Sequence, residues 1–260
     1  YGGLAARIAR IPVVVHVEHD VWQYADPKRA RLLRWAARLV RPLHFAVSAE
    51  IAEALERMLP EPQVRVVPGG IDLERFRRRP RNAARSGFGL PLDAALVGTA
   101  GRLEEIKGHH VLVEALALLP ENTHALIVGD GSRREHLLAM ARERGVESRL
   151  HLLGHRDDVE QVISALDVFC LPSLGEGLPR VVMEAQAADI PIVASDVGSV
   201  AQIVDPATGR MVKANDAPAL AAAIAASLAS PPVPGACRAF AEARFSIARM
   251  VEKYDSTAAG

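Results

Sequence analysis

Short apolar runs rich in Val, Ile and Leu alternate along the chain with longer stretches in which apolar positions recur at helical spacing. That alternation is the signature of a parallel sheet with crossover helices. It predicts strands at Pro12–Val17, His44–Val47, Val64–Val67, Ala95–Ala100, His124–Gly129, Leu150–Leu153, Val168–Leu171 and Ile190–Ala194. Between them it predicts helices at Lys28–Val40, Glu50–Met58, His110–Leu119, Arg133–Arg144, Val159–Ala165 and Arg180–Ala188. A last helix, Ile247–Tyr254, places Ile247, Met250, Val251 and Tyr254 on one face.

One segment breaks the rhythm. Leu73–Leu90 carries Arg75, Arg77, Arg78, Arg79, Arg81 and Arg85 with almost no apolar period, and is expected to be a solvated linker rather than an anion-binding patch. From Ala95 to Arg244 the chain has about 150 residues, enough for one doubly wound domain. The piece ahead of the linker is too short for a complete one. It reads as the back end of something larger, and a first residue, Tyr1, that is not Met points to a fragment or a processed product.

Composition narrows the classes. The 260 residues hold 31 basic and 31 acidic side chains, and half are hydrophobic. Zero net charge argues against a nucleic-acid binder that works through a basic surface, and the apolar content argues against a disordered chain. Two distant cysteines, Cys170 and Cys237, supply neither a disulfide scaffold nor a cysteine-ligated zinc site. The Ala-rich stretch Ala219–Ala229 falls short of the ~18 apolar residues of a membrane span.

The chain lacks a G-x-x-x-x-G-K-[ST] loop, H-E-x-x-H, G-x-S-x-G and an Asp-x-Asp metal pair. Gly129-Asp130-Gly131 follows a strand, but Arg134 stands where a dinucleotide fingerprint needs Gly, so it reads as a tight turn. Pro172–Glu184 says more. It leaves a buried strand, turns through Gly175-Glu176-Gly177 and enters a helix whose first N–H groups form an anion site suited to a diphosphate. Glu176 and Glu184, roughly 12 Å apart along a helix at ~1.5 Å per residue, suit hydroxyls at opposite ends of an extended ligand. A second cluster, Gly101-Arg102-Leu103-Glu104-Glu105-Ile106-Lys107-Gly108, ends the first strand of the same domain. In an open α/β sheet both loops can face one crevice, where Arg102 and Lys107 would neutralise a diphosphate without metal.

These motifs resemble a family 4 glycosyltransferase of the GT-B fold. The resemblance rests on Glu176 and Glu184 in an E-x7-E pattern, Arg102 and Lys107 in R-x4-K-G, and Val67-Pro68-Gly69-Gly70-Ile71-Asp72 ahead of the linker. The spacing from Gly129-Asp130-Gly131 through Leu153-Gly154 to Asp167-Val168-Phe169 agrees. It implies an α/β chain of two doubly wound Rossmann-like domains, the N-terminal one incomplete. Residues 1–74 would be the end of the acceptor-side domain, 75–90 the linker, 91–245 the donor-binding domain, and 246–260 a helix crossing back to the N-terminal domain.

By the same resemblance, the chain transfers a sugar with retention from a nucleoside-diphosphate sugar, UDP- or GDP-linked, to a hydroxyl of a cell-envelope glycan or glycolipid. It would need no metal and no cofactor, bind no nucleic acid, and work in the cytoplasm, with room for a peripheral contact at the inner face of the membrane. Arg102 and Lys107 would hold the diphosphate, Glu184 the ribose hydroxyls, and Gly154, His155 and Arg156 the base. Glu176 would meet the donor sugar, helped by the backbone of Gly177, Leu178, Pro179, Arg180 and Val181. In Pro12-Val13-Val14-Val15-His16-Val17-Glu18-His19-Asp20, His19 would face the donor sugar, with His16 and Glu18 as helpers. The alternative is a nucleotide-sugar binding fragment without turnover.

Three stretches depart from the family pattern. Gly69 replaces a usual Asn, Ala188-Asp189 a usual Cys-Gly, and Gly198-Ser199-Val200-Ala201-Gln202 a usual Gly-Gly-x-Pro-Glu. Gln202 thereby removes a carboxylate near the expected donor pocket.

Overall fold

The computed structural model describes residues 2–19, 26–59 and 64–258. The chain divides into two compact units, Tyr1–Gly70 with Ala248–Gly260, and Ile71–Ile247.

The first unit runs α1 (Gly2–Ile8), β1 (Val15–Glu18), α2 (Pro27–Val40), β2 (Leu43–Ala46), α3 (Ala49–Met58) and β3 (Val64–Val66). Its strands form one parallel sheet in the order β1-β2-β3, with Val17 opposite Phe45 and Phe45 opposite Arg65. Local chemistry fixes the helix starts. Asp26 caps α2 by accepting from Lys28 N, with Pro27 supplying a preset first φ. Ser48 caps α3 by accepting from Ile51 N.

The second unit runs α4 (Arg81–Gly87), β4 (Ala95–Ala100), α5 (His109–Leu118), β5 (Thr123–Val128), α6 (Arg134–Glu143), β6 (Leu150–Leu152) and α7 (Val159–Ser164). It continues with β7 (Val168–Leu171), α8 (Arg180–Ala187), β8 (Ile192–Ser195), β9 (Gly209–Val212), α9 (Ala217–Ala229) and α10 (Ala236–Phe245). All six strands are parallel, in the order β6-β5-β4-β7-β8-β9. The order reverses between β4 and β7, which opens a crevice outside the carboxyl ends of those two strands.

The core lies on both faces of this sheet, as strand alternation requires. Leu96, Leu126, Phe169 and Ile192 pack with Val182 and Met183 of α8 on one face. Val97, Ile127, Val168 and Val193 pack with Val111 and Leu112 of α5 and Leu220 and Ile224 of α9 on the other. The closing helix α11 (Ile247–Ala258), from Ala248 onward, groups with the first unit. There Tyr254 sets its ring 4.8 Å from that of Phe45, and Met250 Sδ takes the Gly70 N–H.

The solvated-linker expectation holds only in part. Residues from Ile71 onward belong to the second unit; Arg75, Arg77, Arg78 and Arg81 are exposed, but three of them are paired to that unit, and Arg85 is buried in it. Arg75 bonds Glu160 and the Asp157 carbonyl, Arg78 bonds Asp189, and Arg81 bonds Asp167. Arg85 is fully buried in α4 and donates to Ala165 O, Leu92 O, Ala94 O and Asp167 Oδ2. The physical reason is that the carbonyls and carboxylate come from segments up to 82 residues away, satisfying a cation that a local reading assigns to water.

The apolar pattern also passed over α1, α4, β9, α9 and α10. The first expected strand begins later, at Val15 rather than Pro12, and the last begins at Ile192, after Pro191. Among the described residues no helix is long and apolar enough to cross a membrane.

Candidate functional site

The crevice at the carboxyl ends of β4 and β7 is built by two loops tied to each other. After β4 the chain makes a 3-10 turn at Glu105–Lys107 and passes through Gly108 in the left-handed region, φ +60°. A Cβ at Gly108 would lie 2.0 Å from the Pro172 carbonyl oxygen, so glycine alone lets the β4 loop lie on the β7 loop. Leu174 N donates to Ile106 O at 2.8 Å across the same joint.

This joint brings Lys107 onto Glu176. The Lys107 ammonium reaches both carboxylate oxygens of Glu176, and the Ser173 hydroxyl donates to the carboxylate at 2.6 Å. Glu176 is 9% exposed, so a buried carboxylate is met by one cation and one hydroxyl. Ser199 N donates to Gly177 O and braces the loop from the β8 side.

A cavity of about 260 Å³ opens there, lined by Lys107, His109, Ser173, Glu176 and Leu178–Val181 among others. The first turn of α8 forms one wall. No side chain caps this helix, and Pro179, at its N-cap, has no N–H, so the amide donors on that wall come from Arg180 and Val181. Their N–H groups and the helix dipole favour an anion.

His109 is 3% exposed, and its Nδ1 has no hydrogen-bond partner. Burial, with the nearby Lys107 and His110, pulls its pKa down to about 4, so the ring is neutral near pH 7. The sequence reading did not single out His109, Ser173 or Thr99, another lining residue. The only local signal for them is their place at or just beyond the ends of β4 and β7.

The other expected site residues stand differently. Arg102 is exposed on the β4 loop and is not in the cavity lining. Glu184 lies further along α8, 4.0 Å from Arg180, also outside the lining. Burial raises its pKa above the ordinary glutamate value, while Arg180 and Arg75 oppose the rise. Gly154 accepts from Gly129 N through its carbonyl, and Leu103 N donates to Asp130 O, so the loops after β4, β5 and β6 are stitched together. His155 is exposed, 3.4 Å from Asp157. Arg156 clasps Asp158 at 2.7 and 2.9 Å over the ring of Phe88.

His19 belongs to the first unit and is exposed beyond β1. Its N–H donates to Glu18, a buried carboxylate that also lies 3.7 Å from His16 Nε2. His16 in turn meets His44 at 3.2 Å between Nδ1 atoms. Asp20, the last residue of that expected segment, lies outside the described residues. Among the described residues no group of three or more His, Cys, Asp and Glu is arranged to hold a metal ion.

Comparison with known proteins gives consistent similarities. Residues 94–230 match the family described as glycosyl transferases group 1, and residues 1–75 match glycosyltransferase family 4. The glycosyltransferase EpsF of Bacillus subtilis, itself named as putative, is 30% identical over 222 residues, covering 81% of this chain and 57% of that protein. The UDP-Gal:alpha-D-GlcNAc-diphosphoundecaprenol alpha-1,3-galactosyltransferase of Escherichia coli is 29% identical, covering 83% of this chain and 60% of that protein. The chain thus spans less than two thirds of the length of either relative. Among solved structures, Anabaena HepE in complex with UDP superposes with a TM-score of 0.90 at 25% identity, covering 99% of this chain and 75% of that one.

Proposed function

The chain belongs to the glycosyl transferases group 1 family, with a glycosyltransferase family 4 segment ahead of it, and from that premise we propose a retaining sugar transfer. The donor is a nucleoside-diphosphate sugar, and the acceptor is a hydroxyl of a cell-envelope glycan or glycolipid at the inner face of the membrane. The α/β fold of parallel sheets matches GT-B glycosyltransferase structures.

The observation that carries the reading is the convergence of Lys107, Glu176 and the uncapped start of α8 on one cavity at the topological switch point. In this reading the diphosphate lies against the Arg180 and Val181 amides with Lys107 as its cation, and Arg102 meets it from the rim. Glu176 accepts from sugar hydroxyls, and Glu184 accepts from the ribose. Gly154, His155 and Arg156 border the base, and His19 of the first unit serves the reacting face.

Sugar transfer breaks the bond from the anomeric carbon to the diphosphate oxygen and forms one to the acceptor oxygen. The acceptor proton passes to the departing diphosphate, whose charge is stabilised by Lys107 and the helix start. HepE was solved with UDP, and the E. coli relative is named for a UDP-linked galactose. Both support a uridine nucleotide as the first donor to test.

The test is calorimetric titration with UDP, GDP and ADP, followed by transfer and donor hydrolysis with and without a chelator. One nucleoside diphosphate should bind, with Lys107→Ala weakening it at least about tenfold, and turnover should persist in chelator. Absence of binding by all three sinks the donor-site assignment. Binding without transfer to any acceptor sinks the transferase reading and leaves a nucleotide-sugar binding module.

A further inference from the structure

His109 is the first residue of α5 and forms part of the cavity wall at the carboxyl ends of β4 and β7, with only 3% of its surface exposed. A neutral imidazole has two nitrogens and one proton to place. Nδ1 is enclosed and meets no partner among the described residues, whereas Nε2 is not enclosed in that way and the ring borders the cavity. A buried N–H without an acceptor is rarer and costlier than an acceptor without a donor. The proton therefore belongs on Nε2, the nitrogen left to serve the cavity.

The groups around the ring keep it uncharged. On its own segment stand the Lys107 ammonium, two residues before it, and His110, directly after it. Glu105, on the same loop, pairs with His110 and Arg133. His109 also occupies the first position of a ten-residue helix with no side-chain cap, and the positive end of that dipole opposes an imidazolium. From the β7 loop comes Glu176, the one carboxylate in the cavity lining, and it is already held by Lys107 and Ser173. From α8 comes Arg180, a further cation. Burial acts in the same direction, and with Lys107 and His110 it holds the ring's pKa at about 4.

We propose that His109 is an uncharged donor to the diphosphate, giving its Nε2–H to a phosphate oxygen while Lys107 supplies the charge. A second full cation two residues from Lys107 would carry its own desolvation cost and repel the first. A neutral imidazole adds a directed hydrogen bond without either penalty. Its place is fixed by Gly108, whose close approach to Pro172 seats the start of α5 on the β7 loop. The proposal rests on the donor-site reading above and adds to it one ligand contact and the protonation state in which that contact is made.

The test is calorimetric titration with UDP and with inorganic pyrophosphate near pH 7, in two buffers of different ionisation enthalpy. It is run on the parent and on His109→Gln, His109→Asn and His109→Leu. The Gln amide nitrogen takes the place of Nε2 and the Asn amide nitrogen that of Nδ1. Gln should therefore keep affinity within about threefold, while Asn and Leu should lose at least about tenfold. The number of protons taken up on binding should be the same in the parent and in His109→Leu. Nitrogen chemical shifts of the His109 ring, read on the parent, should show the Nε2–H tautomer with and without UDP, and this readout stands even where a variant is unstable.

Equal UDP affinity in the parent and in His109→Leu overturns the contact and leaves the donor site in place. Asn retaining affinity where Gln loses it, or an Nδ1–H ring in the nitrogen spectrum, overturns the assignment of the donor atom. A proton taken up by the parent and not by His109→Leu overturns the neutral donor in favour of an imidazolium. Absence of binding by both probes removes the donor-site reading and the contact together.

Discussion

Lys107 Nζ lies 2.8 Å from Glu176 Oε1 and 2.9 Å from Oε2, joining the loop after β4 to the loop after β7 across 69 residues of sequence. Glu176 keeps a second partner in the Ser173 hydroxyl, whereas among the described residues the Lys107 ammonium pairs with Glu176 alone, and its side chain is 25% exposed. The pair holds the two loops in register, and under the proposed donor reading a diphosphate would compete for the lysine without leaving the carboxylate unsatisfied.

The first prediction follows from that asymmetry. Lys107→Ala leaves a buried carboxylate with only Ser173 and should cost about 1–3 kcal/mol of stability, a figure discounted for the partly exposed lysine. Adding Glu176→Gln should recover most of that loss and none of the diphosphate affinity. Denaturant midpoints and UDP titration of the two single variants and the double variant check both parts; a double variant no more stable than Lys107→Ala contradicts the pairing.

Arg85 supports a second prediction. Its guanidinium is wholly buried, and its fixed fork of donors meets the Ala165, Leu92 and Ala94 carbonyls and Asp167, with a longer bond to Pro91 O at 3.4 Å. Arg85→Met should destabilise the second unit by about 3–5 kcal/mol, because Asp167 loses its buried partner and the carbonyls lose their donor. Arg81 also reaches Asp167, at 2.5 Å, but its side chain is 53% exposed and lies too far out to replace that network. Arg85→Lys should rescue little, since a point charge cannot serve four divergent acceptors. Urea unfolding of the three proteins is the measurement.

Arg85 also marks where sequence reading stops. The six-stranded sheet was legible wherever strands are buried on both faces, as in Val168–Leu171, because such strands must be continuously apolar. The edge strand Gly209–Val212 is half-buried and carries Gly209 and Arg210, so it has no such run. Helix Ala217–Ala229 hides its core face, Leu220 and Ile224, among alanines that are apolar all round. Arg85 sits in a charge run whose local reading is solvent, and only Asp167, far along the chain, changes its meaning. The carboxylates of the E-x7-E pattern were legible as a spacing. That Glu176 faces the cavity with Lys107 while Glu184 and Arg102 stand outside its lining depends on loop paths that spacing does not encode.

The third prediction concerns pH, where two groups on the second unit pull in opposite directions. His109 has its folded pKa lowered from 6.5 to about 4, so between those values the unfolded chain binds more protons. Its contribution is full above 6.5 and is lost as pH falls through the window, by about 3 kcal/mol in total. Glu184 is raised above its ordinary value, so there the folded chain binds more protons. Its contribution is present below the ordinary glutamate range and is lost as pH rises through the raised value. His109→Leu should therefore flatten the acid side of the stability profile, and Glu184→Gln should remove a decline at its upper end. His44, His124 and His151 share the direction of His109 and remain in both variants, so each effect is read as a difference from the parent. If the parent and His109→Leu profiles run parallel from pH 7 to about 4, the buried neutral imidazole is wrong.

A last prediction separates backbone strain from the packing of the two loops. Gly108 and Gly89 have nearly the same left-handed conformation, φ +60° and +64°, but a Cβ at Gly89 meets nothing within 4 Å, whereas one at Gly108 lies 2.0 Å from Pro172 O. Gly89→Ala should cost only the conformational term, about 1 kcal/mol. Gly108→Ala adds a backbone clash that side-chain rotation cannot relieve, so the β4 loop must lift from Pro172 and stretch the Leu174-to-Ile106 bond at 2.8 Å. Its expected cost is about 3 kcal/mol. Lifting the loop also moves Lys107 from Glu176, so UDP affinity should fall with Gly108→Ala and stay level with Gly89→Ala. Gly108→Asn is the deciding variant, because Asn tolerates the left-handed region but still carries the Cβ. If Asn restores both stability and affinity, conformational strain alone explains Gly108, and close contact of the two loops is not what holds Lys107 in place.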